Sequence, residues 1–97
     1  MRKITSNAIA AFKNGKNFKD GATQVNQRIG GMELVLHGHV IAKNIDGEGL
    51  SINLCGWNTP TTRERLNGLP NVSINTKKGQ AFLNGQAIPS NGWVFVG

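Results

Sequence analysis

Between Ala22 and Trp57 the apolar residues recur at alternate positions, and this pattern constrains the chain more than any other feature. Side chains of an extended strand alternate between two faces, whereas those of a helix repeat about every 3.6 residues. Thr23, Val25 and Gln27 alternate first, and Gly30-Gly31 then marks a hairpin turn. Met32, Leu34 and Leu36 share one face with Gly38, Val40 and Ala42, provided the strand runs on without a bulge. Asp46-Gly47 offers a second tight turn, after which Leu50, Ile52 and Leu54 form another alternating strand. The series reads as an antiparallel meander with one buried and one polar face.

Helical spacing flanks this core. Near the N-terminus, Thr5 or Ser6 can cap a short helix filled by Ala8, Ile9, Ala10, Ala11 and Phe12 and stopped by Gly15. A second helix is expected at roughly 60–67. It is entered either at Thr59 with Pro60 in the first position, or at Thr61 with Glu64 completing a capping box. Asn67-Gly68 is expected to end it in left-handed geometry, and Pro70 prevents continuation. The remainder is a hairpin series: Val72 and Ile74, the Lys77-Lys78-Gly79 turn, Ala81-Phe82-Leu83, Asn84-Gly85, and a closing strand Trp93-Val94-Phe95-Val96. The expected fold is one α+β domain over residues 1–97, a twisted antiparallel β-meander sheet with an N-terminal helix and a short mid-chain helix.

Length and composition narrow the class. With 97 residues there is room for one core, and no apolar run approaches the roughly 18 residues of a membrane span. Met1-Arg2-Lys3-Ile4-Thr5 carries a positive pair without a continuous apolar stretch behind it, so a secretory signal is not expected. The single cysteine, Cys55, leaves no internal disulfide and fits a reducing cytoplasm. A chain this small has a thin stability margin, which makes a homo-oligomer a reasonable expectation.

Charge is the most informative total. Eleven Lys and Arg against five acids give a net charge of +6, unevenly spread. Residues 1–19 hold Arg2, Lys3, Lys13, Lys16 and Lys19 without an acid, and residues 72–97 hold Lys77 and Lys78, again without one. Such a field attracts polyanions. Lys13 and Lys16 also lie near the end of the first helix, where the macrodipole alone favours a cation.

Reactive constellations are weak. His37-Gly38-His39 places two imidazoles on one side of a continuous strand, but a metal would need Cys55 or an acid such as Glu48 to converge as a third ligand. Cys55 lacks the glycine frame of a nucleophile elbow, and its neighbours Leu54 and Trp57 suit a small packed thiol. The acids are dispersed, and no phosphate-binding glycine loop is present. Neither catalysis nor a cofactor is expected, and no metal.

Binding residues are easier to nominate. Lys16, Phe18 and Lys19 place an aromatic between cations, as in single-strand binders that stack a base and track its phosphates. Trp57 precedes a helix N-terminus, where free amides suit an anion, and Arg63 and Arg65 add planar bidentate donors. Lys77 and Lys78 crown a turn. The competing reading puts Phe18 and Trp57 in the core and points Arg63 and Arg65 to different sides of their helix. If both arginines serve binding, replacing them together by alanine leaves the fold intact and weakens nucleic-acid affinity.

The order Asn14-Gly15-Lys16-Asn17-Phe18, Leu36-His37-Gly38, Gly56-Trp57-Asn58-Thr59, Arg65-Leu66-Asn67 and Leu83-Asn84-Gly85 resembles a family of small tailed-bacteriophage proteins, from about residue 12 to residue 96. Ala81 and Ile88 depart from it, standing where members carry tryptophan. The resemblance implies a setting, the infected bacterium, in which small basic proteins bind nucleic acid or a host protein. Two functions follow: a nucleic-acid-binding module with weak sequence preference for single strands, or a protein-interaction module that inhibits or redirects a host or defence factor. The second would use the Trp93-Val94-Phe95-Val96 strand as an exposed edge.

Overall fold

The computed structural model describes residues 2–97. An N-terminal helix α1 (Lys3–Asn14) leads into five strands, β1 (Phe18–Asp20), β2 (Thr23–Arg28), β3 (Gly31–Leu36), β4 (His39–Ile45) and β5 (Gly49–Ile52). A short helix α2 (Pro60–Leu66) precedes β6 (Ile74–Lys77), β7 (Gln80–Leu83), β8 (Gln86–Ile88) and a two-residue β9 (Val94–Phe95). The α+β meander expected from alternation is the architecture found, and its pairing is antiparallel throughout. The strands divide between two sheets rather than one. The larger runs β1-β2-β3-β4-β5-β9 and the smaller β6-β7-β8.

Local chemistry explains most boundaries. Gly15 closes α1 in the left-handed region, φ 68°, as the stop signal requires. The helix begins earlier than expected, at Lys3, with Arg2 at the cap position and no side-chain cap. Thr5 therefore lies within the helix, buried, where its hydroxyl donates to Glu64 and accepts from Arg65 Nη1 at 2.8 Å. For α2 the Thr59 cap is the one used: Thr62 N–H donates to Thr59 Oγ1 at 3.2 Å and Pro60 opens the helix. Its end departs from expectation, because Asn67 is right-handed with φ −66° and Gly68 has no positive φ. Gly68 is needed for space instead, since a Cβ there would come within 2.7 Å of Ile9 Cγ1. Asn67 joins α2 to the small sheet, donating from Nδ2 to Ile74 O at 3.1 Å while Ile74 N–H donates to Oδ1 at 2.6 Å.

The strand expected to run from Met32 to Ala42 is broken. His37 and Gly38 both take positive φ, 52° and 79°, forming a two-residue hairpin turn between β3 and β4. A register shift between Leu34 and Val35 leaves Ile41 as an extra residue on β4, so Ile41 and Ala42 are both buried. Histidine is among the non-glycine residues that enter this region most readily, and the following glycine takes the second left-handed position without strain. One core cluster gathers Phe12 of α1, Val25, Leu34, Ile41 and Ile52 of the large sheet, Leu66 of α2, and Ile74, Leu83 and Ile88 of the small sheet. Ala81 and Ile88 pair across β7 and β8 on its inner face, both buried.

Candidate nucleic-acid interface

Trp57 is 56% exposed, so the reading that made it a core residue does not hold. It sits between Leu54, the last buried residue after β5, and the Thr59 cap, with the His39 ring 6.3 Å from its own at an interplanar angle of 38°. Next to it Arg63 is oriented by Asn58, its Nη1 donating to Asn58 O at 3.0 Å and to Asn58 Oδ1 at 2.7 Å. The same asparagine donates from Nδ2 to Thr76 Oγ1 at 3.2 Å. Thr76 adjoins Lys77 and Lys78, both exposed, the second at the β6–β7 turn with φ 52°. The Arg63–Asn58–Thr76 hydrogen bonds thus tie the segment that carries Trp57 to strand β6, on which Lys77 follows Thr76 and leads into the Lys78 turn, residues nominated separately from the sequence.

The other nominated residues are placed elsewhere. Arg65 is corrected outright: it is 4% exposed, and its guanidinium donates to Thr23 Oγ1 at 3.1 Å, to Thr5 Oγ1 and to Glu64. It ties α2 to α1 and β2 and has no surface to offer an anion. The expectation that Arg63 and Arg65 can be removed together without harming the fold fails for the same reason. Lys16 and Lys19 are exposed on the β1 side of the large sheet. Lys16 lies beside Asn17, whose Oδ1 accepts from Gln27 N–H at 2.9 Å at one end of β2, while α2 reaches Thr23 at the other. Phe18 is half-buried against the core, as its competing reading held.

The amides expected at the start of α2 are mostly engaged. Pro60 has no N–H, Thr62 N–H is held by Thr59 Oγ1 and Arg63 N–H by Thr59 O at 3.0 Å. An anion at this end would therefore have to be met by side chains.

Three residues with reactive groups lie nearby without forming one centre. His37 is in the β3–β4 turn and His39 begins β4, so the shared strand face assumed for them does not exist. Cys55 is half-buried, its Sγ donates to Val40 O at 3.3 Å, and burial pushes its thiol above the ordinary range. Among the described residues no three of His, Cys, Asp and Glu are grouped closely enough to hold a metal ion.

A cleft of about 500 Å³ opens beside Trp57. Leu36 and Ile41, both buried, form its base, while the exposed His37 and Trp57 and the α2 threonines Thr61 and Thr62 surround it. His37, Leu36, Ile41 and Thr61 were not nominated for binding. The signal that could have found His37 was its following glycine, because an X-Gly pair between alternating runs is a turn.

A second aromatic surface belongs to the far edge of the large sheet. Trp93 is 43% and Phe95 66% exposed, and Lys43 Nζ lies 4.4 Å from the centre of the Trp93 ring. Among the described residues strand β9 pairs with β5 alone, through Ser51 and Phe95 and through Ile52 and Val94, and forms an edge of the sheet.

A small basic α+β chain with an exposed tryptophan defines the class. The particular family follows from comparison: the model of the Kyanoviridae Gp96 protein matches residues 1–95, and the chain belongs to this phage protein family. No curated protein and no solved structure matches it. The bacteriophage resemblance read from the sequence is borne out at this level. Among the described residues, no helix is long and apolar enough to cross a membrane.

Proposed function

We propose that this phage protein is a non-enzymatic nucleic-acid-binding module that prefers single strands and reads sequence weakly. The observation that carries this reading is the exposed Trp57 in the segment whose Asn58 holds Arg63 and bonds Thr76, the residue before the exposed Lys77-Lys78 turn. An exposed indole offers a stacking platform for any base, and neighbouring cations follow the phosphates. Arg63 has one Nη held by Asn58, so its planar fork meets a phosphate with less orientational freedom left to lose. The +6 net charge adds long-range attraction. Fluorescence anisotropy with labelled single-stranded and duplex oligonucleotides at low and near-physiological salt is the test. Saturable binding that is tighter for single strands and falls steeply with salt is expected, and no binding at low salt defeats the reading.

A second reading, a module that engages a host protein or a second copy of itself, is favoured by one observation: β9 is a sheet edge carrying exposed Phe95 beside Trp93. Binding of this kind survives moderate salt. It predicts that Phe95→Ala abolishes capture of a defined protein partner or self-association, while Arg63→Ala leaves either unchanged.

A further inference from the structure

We infer that the cleft between His37 and Trp57 is a slot for one unstacked nucleobase of the bound strand. This deepens the single-strand reading, on which it rests, by naming what enters the fold and where. The slot's volume of about 500 Å³ falls within the range of about 300–1,000 Å³ that small-molecule sites occupy, ample for a base with its sugar.

Its chemistry suits a base. Leu36 and Ile41 give an apolar bottom, and the indole of Trp57 supplies a flat aromatic wall. Two polar side chains at the mouth, the His37 imidazole and the Thr61 hydroxyl, make no hydrogen bond with other described residues and are positioned to meet a base edge. Thr59 and Thr62 are different, since their hydroxyls bond each other at 3.0 Å.

Charge complementarity selects this occupant over a neutral apolar one. Arg63 is one residue beyond Thr62 on the slot's own helix, and the Asn58–Thr76 bond ties the start of that helix to β6, which leads into the Lys77-Lys78 turn. A base in the slot therefore has Arg63 of the same helix, held by Asn58, to meet a flanking phosphate, with the exposed lysines of the β6–β7 turn further along. The backbone at His37 agrees with a role at the mouth. A non-glycine residue with φ 52° costs about 1 kcal/mol or more.

Titration with free nucleosides separates base recognition from phosphate attraction, because thymidine and adenosine carry no charge for the lysines to hold. The indole N–H cross-peaks of Trp57 and Trp93, assigned with Trp93→Phe, report where they bind. A saturable shift confined to Trp57 is expected, together with its loss in Thr61→Phe, which fills the mouth without changing charge. In anisotropy, an oligonucleotide bearing abasic residues should bind roughly tenfold more weakly than its parent, the loss of about one stacked base, with the same salt slope. If both oligonucleotides bind equally and nucleosides leave Trp57 unmoved, the slot is overturned while the single-strand reading survives. If nucleosides shift Trp57 but no oligonucleotide binds, the cleft takes a free base only, and the slot for a strand's base falls together with that reading. A Trp57 shift with N-acetyl-tyrosinamide and none with nucleosides overturns the proposal in favour of a protein side chain. The parent protein alone yields these outcomes should Thr61→Phe fail to fold.

Discussion

Arg63 and Arg65 stand two positions apart on α2 and meet opposite surroundings. Arg63 is half-exposed with its head toward Asn58, whereas Arg65 points inward to Thr5, Thr23 and Glu64. Arg63→Ala should weaken single-strand binding several-fold in anisotropy and leave the melting temperature nearly unchanged. Arg65→Ala should destabilise the fold by about 2–4 kcal/mol in a denaturant titration, since it strips partners from buried hydroxyls and from Glu64. Glu64 adds a pH dependence. Desolvation raises its carboxyl pKa, but the Thr5 hydroxyl, the Arg2 amide and the Arg65 charge outweigh this and hold it below the ordinary range. A carboxyl depressed by folding stabilises fully above its unfolded pKa, and that stabilisation is lost as pH falls through the folded value. Thermal melts should therefore fall in acid, and Glu64→Gln, less stable at neutral pH, should fall less. None of this was legible in the linear pattern. A two-residue offset says that the arginines face different ways, but not which one meets a core.

At the scale of elements, turn chemistry was the clearest writing in the sequence. Asn84-Gly85 takes positive φ at both residues, 50° and 86°, as its type demands, and Lys78-Gly79 and His37-Gly38 repeat the geometry. Of these three pairs His37-Gly38 alone went unread, because Leu36 and Val40 on either side keep an even spacing that imitates one unbroken strand. Lysine is a poorer choice than asparagine for the left-handed position, and Lys78 sits at the candidate interface. Lys78→Asn should stabilise the protein by about 0.5–1 kcal/mol, a rise of several degrees in melting temperature. Lys78→Asn should at the same time weaken oligonucleotide binding. Stabilisation without any loss of binding would remove that turn from the interface. The cleft was illegible for a different reason. Its parts come from the β3–β4 turn, the bulged Ile41 and the start of α2, and only the tertiary fold brings them together.

For the molecule as a whole, net charge and local contact predict different numbers. If Arg63, Lys77 and Lys78 are the cations that meet phosphates, log affinity for single strands should fall with log salt at a slope of about −2. A much steeper slope would mean that Lys16, Lys19 and the other basic residues join in, and that the strand wraps further round the surface. The sheet order has another consequence, for how the chain reaches this shape. Strands β1 to β5 each pair with the next in sequence, but Ser51 finds Phe95 only across α2 and the whole small sheet. Neighbouring hairpins can close early and in any order, whereas this last pairing must wait for a long loop to close. Until it does, β5 presents a bare row of amides and carbonyls. The slowest step of folding is then also the interval in which two half-made chains are most apt to stick together, and short, two-residue β9 is the clasp that ends it.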